Sequence, residues 1–267
     1  RDVLTNPASD RVSRVAGLAR KNVRARYHRF LVEGPQGVRE AVRYAADRVL
    51  DVFLTEAARD RHSGIWEEAR AAGLYVHLAS ERVMAAMSAD SQGVLAVVAM
   101  DEAAGPGALA AALSGAMLVV VLTEAQDPGN AGAIIRAADA AGADAVVLLR
   151  GSVDATSPKV VRSSAGSLFH LPVVTGVTLD DAVAALHEAD LAVVAADSRG
   201  ALDLFDADAV LEGPVAWLLG NEARGLPPEA LSRADAVISI PVRGRAESLN
   251  VAAAAAVCLY ASARAQH

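Results

Sequence analysis

Asn130 and Arg136 stand in a segment in which an apolar run, ending at Leu122, passes through Asp127-Pro128-Gly129 into a helical pattern of alanines and isoleucines. An arginine among apolar residues needs an anionic acceptor, and both a structural carboxylate and an RNA phosphate qualify. Asn130 lies near the helix start, where asparagine serves either as an N-cap or as a polar group offered to a ligand. A second polar loop, Gly220-Asn221-Glu222-Ala223-Arg224-Gly225, follows the apolar run that ends in Leu219. Gly220 allows a ligand close to the backbone, and Gly225 permits a positive φ. The third segment runs from Ile240 through Arg243-Gly244-Arg245 to Ser248-Leu249-Asn250 and a long alanine-rich helix. Ser248 is placed as its N-cap, and the small-residue face suits close packing on another surface or on a second copy of the chain.

These loops require strands to present them. Residues 117–122, 145–149, 191–195, 215–219 and 236–240 are apolar runs without alternation, the pattern of strands covered on both faces in a parallel sheet. Helical patterns fall between them at 131–141, 159–165, 179–189 and 249–265. In such open α/β sheets ligands bind at the carboxyl ends of the strands, so the three loops are expected to share one pocket. Neither G-x-G-x-x-G nor G-x-x-x-x-G-K-[ST] occurs, which removes the positive signal for a dinucleotide dehydrogenase or a P-loop enzyme. The six histidines are dispersed and no Cys/His ligand spacing exists, so no metal is expected.

Residues 1–100 form a smaller α/β unit by the same reading, with strands at 30–32, 49–55, 75–78 and 94–100 and helices at 10–20, 35–46 and 61–72. Residues 101–115, rich in Ala and Gly, read as a linker with a helical turn, and residues 116–267 as the second domain. The uncharged stretch 103–123 is broken by Gly105-Pro106-Gly107 and Ser114-Gly115, which speaks against a membrane span. With one cysteine, Cys258, and no secretory pattern, a cytoplasmic location is expected.

Charge is uneven. Residues 1–30 carry eight Lys/Arg against two Asp in a chain of net charge −7, so the basic character is confined to one arm. Arg11, Arg14, Lys21, Arg24, Arg26 and Arg29 are its candidate phosphate contacts, and the alternative is a solvated helix face. Arg162, Arg243 and Arg245 are further candidates beside the pocket. With 4% aromatic residues, a broad base-stacking platform is not expected; recognition by RNA shape and a few unstacked nucleotides fits better.

The three ordered segments around Asn130–Arg136, Gly220–Gly225 and Ile240–Ala252 resemble the signature motifs of the SpoU (TrmH-type) RNA ribose 2′-O-methyltransferases of the SPOUT superfamily. Arg29-Phe30-Leu31-Val32-Glu33-Gly34 and Ser91-Gln92-Gly93-Val94 resemble that family's substrate-binding domain. The resemblance implies a C-terminal, mostly parallel α/β domain with a trefoil knot, a ribosomal-protein-like α/β N-terminal domain, and a homodimer. It implies S-adenosyl-L-methionine held by Leu219, Gly220, Ile240, Leu249 and Asn250, with Arg136 as the principal catalytic residue and Asn130, Glu222, Ser248 and Asn250 around it. Arg136 is then either a base or an electrostatic stabiliser; an arginine stays protonated across the accessible pH range, which favours the second role. The substrate implied is a structured RNA, 23S ribosomal RNA ahead of transfer RNA. A knotted module that docks on RNA without catalysis is the rival.

Overall fold

The computed structural model describes residues 3–101 and 103–267. In chain order the first elements are α1 (Asp10–Gly17), α2 (Lys21–Tyr27), β1 (Arg29–Glu33), α3 (Pro35–Tyr44), β2 (Val49–Leu54), α4 (Glu56–Arg61), α5 (Ser63–Ala71), β3 (Val76–Leu78), α6 (Glu81–Met87) and β4 (Val94–Ala99). There follow α7 (Gly105–Leu113), β5 (Leu118–Leu122), α8 (Pro128–Ala140), β6 (Ala145–Leu149), α9 (Pro158–Ser163), β7 (Val173–Val177), α10 (Leu179–Glu188), β8 (Ala192–Ala196) and β9 (Leu202–Asp203). The last are α11 (Asp208–Leu211), β10 (Val215–Leu219), α12 (Pro228–Arg233), β11 (Ala236–Ser239) and α13 (Val251–Gln266). They form two compact units, residues 1–101 with 156–170, and residues 102–155 with 171–267.

The first unit is built on a mixed sheet in the order β1-β4-β2-β3. Side chains alternate across a strand, and the core divides accordingly. Phe30, Val32, Val94, Ala96 and Val98 face one apolar layer with α3 and α5. Leu31, Leu95 and Val97 face another with Val12 and Val15 of α1 and Val83 and Met84 of α6. The segment 156–170, assigned from sequence to the second domain, adds Val161 and Phe169 to the first of these layers. Its Gly166 has φ +92 and lies so close to Glu40 that a Cβ would fall 2.4 Å from the Glu40 Cγ.

In the second unit seven parallel strands lie in the order β7-β6-β5-β10-β8-β11-β9. β5, β6 and β10 are buried along their whole length, as apolar runs without alternation require. Val119, Val121, Val147 and Leu218 pack with Leu109 and Leu113 of α7 and with Leu186 of α10. Residues 105–113, read from composition as linker, therefore supply a core helix. Trp217 is fully buried, and its indole N–H donates to Ser262 of α13 at 2.8 Å, so this large ring is buried without a stranded donor. β7 and β9 have no counterpart in the sequence reading: β7 is a short edge strand interrupted by Gly176, and β9 has two residues.

Candidate functional site

Side-chain hydrogen bonds and an ion pair bring the loops after β5, β10 and β11 together at the carboxyl edge of the second unit's sheet. The Asn221 amide donates to the carbonyl of Glu124 at 3.0 Å, while its own oxygen accepts from the N–H groups of Ala223 and Arg224 at 2.9 and 3.2 Å. Glu222 accepts from the Asp127 N–H at 3.3 Å, and Arg224 pairs with Glu124 at 3.0 Å. The Asn250 amide donates to the Asn130 side-chain oxygen at 3.0 Å. Thr123, through its N–H and its hydroxyl, donates to the Leu219 carbonyl at 3.0 and 3.1 Å, which closes the ends of β5 and β10 on each other.

Caps fix the two helices that enter this cluster. Asp127, not Asn130, is the N-cap of α8: its carboxylate accepts from the Asn130 N–H at 2.7 Å, with Pro128 in the first turn. That frees the Asn130 side chain for Asn250. Asn250, not Ser248, caps α13, its oxygen accepting from Ala252 and Ala253 at 2.9 and 3.3 Å. The helix starts at Val251 because the cap sits two residues later than expected, and Ser248 is left exposed in the loop.

Arg136 lies on α8 about 9 Å further along the axis than Asn130 and about a third of a turn around it. Its neighbours Ile134 and Ile135 are buried, whereas Arg136 is exposed and has no ion-pair or hydrogen-bond partner among the described residues. The structure therefore holds Asn130, Glu222 and Asn250 in hydrogen bonds and leaves Arg136 and Ser248 unattached among the described residues.

Backbone crowding marks the rest of the site. A Cβ on Gly220 would sit 2.2 Å from the Gly225 carbonyl carbon and 2.4 Å from the Leu226 nitrogen. A Cβ on Gly200, just after β8, would sit 2.7 Å from Ile238 and Ser239 backbone atoms at the end of β11. Beside Gly200, Asp197 accepts from the Arg199 guanidinium at 2.8 and 2.9 Å. Those bonds hold its carboxyl below the usual value, against the opposing effect of burial. Asp127, Asn221 and Gly200 were not among the sequence candidates. Asp-Pro before a helix was a readable cap signal for the first; the close approach at Gly200 has no signature in a single sequence.

The basic arm divides in two. Arg11, Arg14, Lys21, Arg26 and Arg29 are exposed. Arg24 is 3% exposed and donates to the carbonyls of Leu18 and Ala19 at 3.0 and 2.8 Å, so it ties the end of α1 to α2 and is not a surface phosphate contact. Arg24→Ala should cost about 1–3 kcal/mol, the penalty for leaving buried carbonyls unsatisfied, read as a lowered urea midpoint with unchanged slope. Arg162 likewise pairs with the nearly buried Glu33 and, at 3.1 Å, with Asp90, in place of the expected contact beside the pocket. Arg243 and Arg245 are exposed in the loop before α13. No cluster of His, Cys, Asp or Glu able to hold a metal occurs among the described residues, nor does a helix long and apolar enough to cross a membrane.

Comparison with known proteins places this arrangement. Residues 117–260 match the model of the SpoU rRNA Methylase family, and residues 31–104 match the model for RNA 2′-O ribose methyltransferase substrate binding. The 23S rRNA (guanosine-2′-O-)-methyltransferase RlmB of Bordetella pertussis is 32% identical over 238 residues, covering 88% of this chain and 96% of that protein. The AdoMet-bound rRNA methyltransferase from Sinorhizobium meliloti superposes with a TM-score of 0.83 at 29% identity, covering 98% of this chain and 97% of that one. The SpoU methyltransferase AviRb from Streptomyces viridochromogenes, in complex with AdoMet, gives 0.80 at 31%, covering 96% and 98%. With the first model spanning more than half of the chain and taking in all three linked loops, this protein belongs to the SpoU rRNA methylase family.

Proposed function

We propose that the protein transfers a methyl group from S-adenosyl-L-methionine to a ribose 2′-hydroxyl of 23S ribosomal RNA. The observation that carries this reading is the hydrogen-bonded union of the three family loops at the carboxyl edge of a parallel sheet. The similar rRNA methyltransferases that bind AdoMet and the 23S rRNA specificity of RlmB support the cofactor and the substrate class.

The loops have the donor set this cofactor needs. Among the described residues none of the main-chain N–H groups of residues 242–249 donates a hydrogen bond, and this stretch is exposed. A loop of free amides between Ile240 and Asn250 offers adenine and ribose both hydrogen bonds and apolar contact. Leu219, Gly220, Ile240, Leu249 and Asn250 would hold the cofactor. When bound, it supplies a methyl group activated by a sulfonium centre.

The planar guanidinium of Arg136 suits it to hold the phosphate beside the target ribose and to stabilise the negative charge that develops on the 2′-oxygen. Asn130 and Asn250, locked to each other, position the start of α8. Glu222 acts through Asp127 and is a positioning residue. Val257 and Tyr260 of α13 are exposed, 37% and 55%, and support a homodimer formed over this helix. The family's trefoil knot is consistent with the close passage of Gly200 against the backbone at the end of β11. A ribosomal RNA substrate supports a cytoplasmic location.

The test is transfer from labelled S-adenosyl-L-methionine to total RNA lacking endogenous modification, followed by separation of the RNA classes. Label in 23S rRNA, within a nuclease-resistant dinucleotide, is the expected result. Label confined to transfer RNA would replace the substrate, and cofactor binding without transfer to any RNA would point to a docking module.

A further inference from the structure

The helical pair ahead of β1 forms a groove of about 570 Å³, lined by Asp10, Ser13, Arg14 and Gly17 from α1 and by Arg20, Asn22, Val23, Arg26 and Tyr27. That volume is within the range of small-ligand sites. The groove precedes residue 31, where the match to the substrate-binding model begins, so nothing in that match assigns it.

Its charge is uncompensated. Arg39, Arg43, Arg48, Arg59 and Arg162 of the same unit each form an ion pair. Arg14, Arg20 and Arg26 form none among the described residues; the Arg14 Nε donates only to the Asp10 main-chain carbonyl, at 3.2 Å. Three free guanidinium groups facing one carboxylate, Asp10, repel one another and keep their full hydration until an anion neutralises them. The groove also has an aromatic wall. Tyr27 is 49% exposed, and the Arg26 guanidinium stands 5.4 Å from its ring centroid. Asn22, exposed on the rim, carries both donors and an acceptor in one amide. Buried Arg24 clamps the turn between the two helices that form the groove.

Unpaired cations beside a half-exposed aromatic ring and an amide are the chemistry of an unstacked nucleotide, whose base takes a π-face and whose phosphates take guanidinium forks. A lipid headgroup or an acidic peptide would use the arginines and leave Tyr27 and Asn22 without a role. We infer that this groove binds one unstacked nucleotide of the RNA, its base on Tyr27 and its flanking phosphates on Arg14, Arg20 and Arg26. The site would set which single-stranded loop of the RNA the enzyme grips, and the inference rests on the RNA reading above.

The experiment measures binding of the full chain to an unmodified 23S rRNA transcript, and to heparin, across a series of KCl concentrations. The exposed positions allow Arg14→Gln, Arg20→Gln and Arg26→Gln to be combined with little change in melting temperature. The triple variant should bind the transcript at least tenfold more weakly, with a salt slope smaller by about two. Tyr27→Ala should weaken transcript binding roughly fivefold or more without altering the slope or heparin binding, and Tyr27→Phe should restore it. Transcript binding by the triple variant at wild-type affinity and slope overturns the groove while leaving the RNA reading in place. Equal loss of heparin and transcript binding in the triple variant, with Tyr27→Ala silent, makes it a general polyanion patch and overturns the nucleotide assignment. A wild-type chain that fails to bind the transcript overturns both.

Discussion

Arg136→Ala should lower the rate of methyl transfer by about a hundredfold to a thousandfold, the usual loss when one group that stabilises developing oxyanion charge is removed. The fold gives this variant unusual clarity. Arg136 is exposed and makes no ion pair among the described residues, and α8 is anchored by the buried neighbours Ile134, Ile135 and Ala138. A surface truncation of that kind changes stability by at most about 0.5 kcal/mol. Cofactor affinity should also stand, because the loops proposed to hold S-adenosyl-L-methionine are tied to the N-terminal end of α8 through Asn130 and Asp127. Single-turnover transfer to the 23S transcript, beside calorimetric titration of the cofactor, separates the two effects. Arg136→Lys keeps the charge but loses the planar fork, and should recover only part of the rate. Turnover near wild type in the alanine variant would remove Arg136 from the chemistry.

Gly220→Ala should damage both the fold and the cofactor site. A methyl group there would meet the Gly225 carbonyl carbon at 2.2 Å, its oxygen at 2.5 Å and the Leu226 nitrogen at 2.4 Å. These are backbone atoms, which cannot swing aside as the end of a side chain can. Asn221 and Gly225 are moreover cross-bonded through both their N–H groups, at 3.1 and 2.9 Å, so the whole turn would have to open. Overpacking of this kind costs about 3 kcal/mol. The expected readout is a clear fall in melting temperature together with loss of detectable S-adenosyl-L-methionine binding. Gly107 is the matched control: it lies in α7 with nothing within 4 Å of an added Cβ, so Gly107→Ala should be neutral or stabilise by up to about 1 kcal/mol. A Gly220→Ala variant with wild-type melting and affinity would show that the turn relaxes freely and that this glycine is dispensable.

The candidate site was legible where local chemistry is strong. Asn130, Glu222 and Asn250 were picked out by polar residues following apolar runs, and the structure links all three to their neighbouring loops. The sequence leaves Asn130 open as the cap of α8 and places Ser248 as the cap of α13, and neither residue is the cap. Asp127 competes for the α8 cap with Asn130, and Asn250 for the α13 cap with Ser248, and each pair consists of residues with nearly equal capping preference. Only the position of the preceding strand end decides between them. Arg24 and Arg162 show the same limit for charge. An arginine in a basic run reads as exposed, yet Arg24 fills the angle between two helices, and Arg162 reaches Glu33, which lies 129 residues earlier.

By itself the sequence determined the two α/β units, the parallel character of the larger sheet and the edge at which its loops gather. These follow from the spacing of apolar side chains, and burial on one face or two imposes that spacing within each segment. The tertiary structure alone decided the strand order β7-β6-β5-β10-β8-β11-β9, the transfer of residues 156–170 to the first unit, and the need for bare glycines at 166 and 200. Each of these depends on which distant backbone comes within van der Waals reach, and contact energies between remote segments leave no periodic trace in either of them.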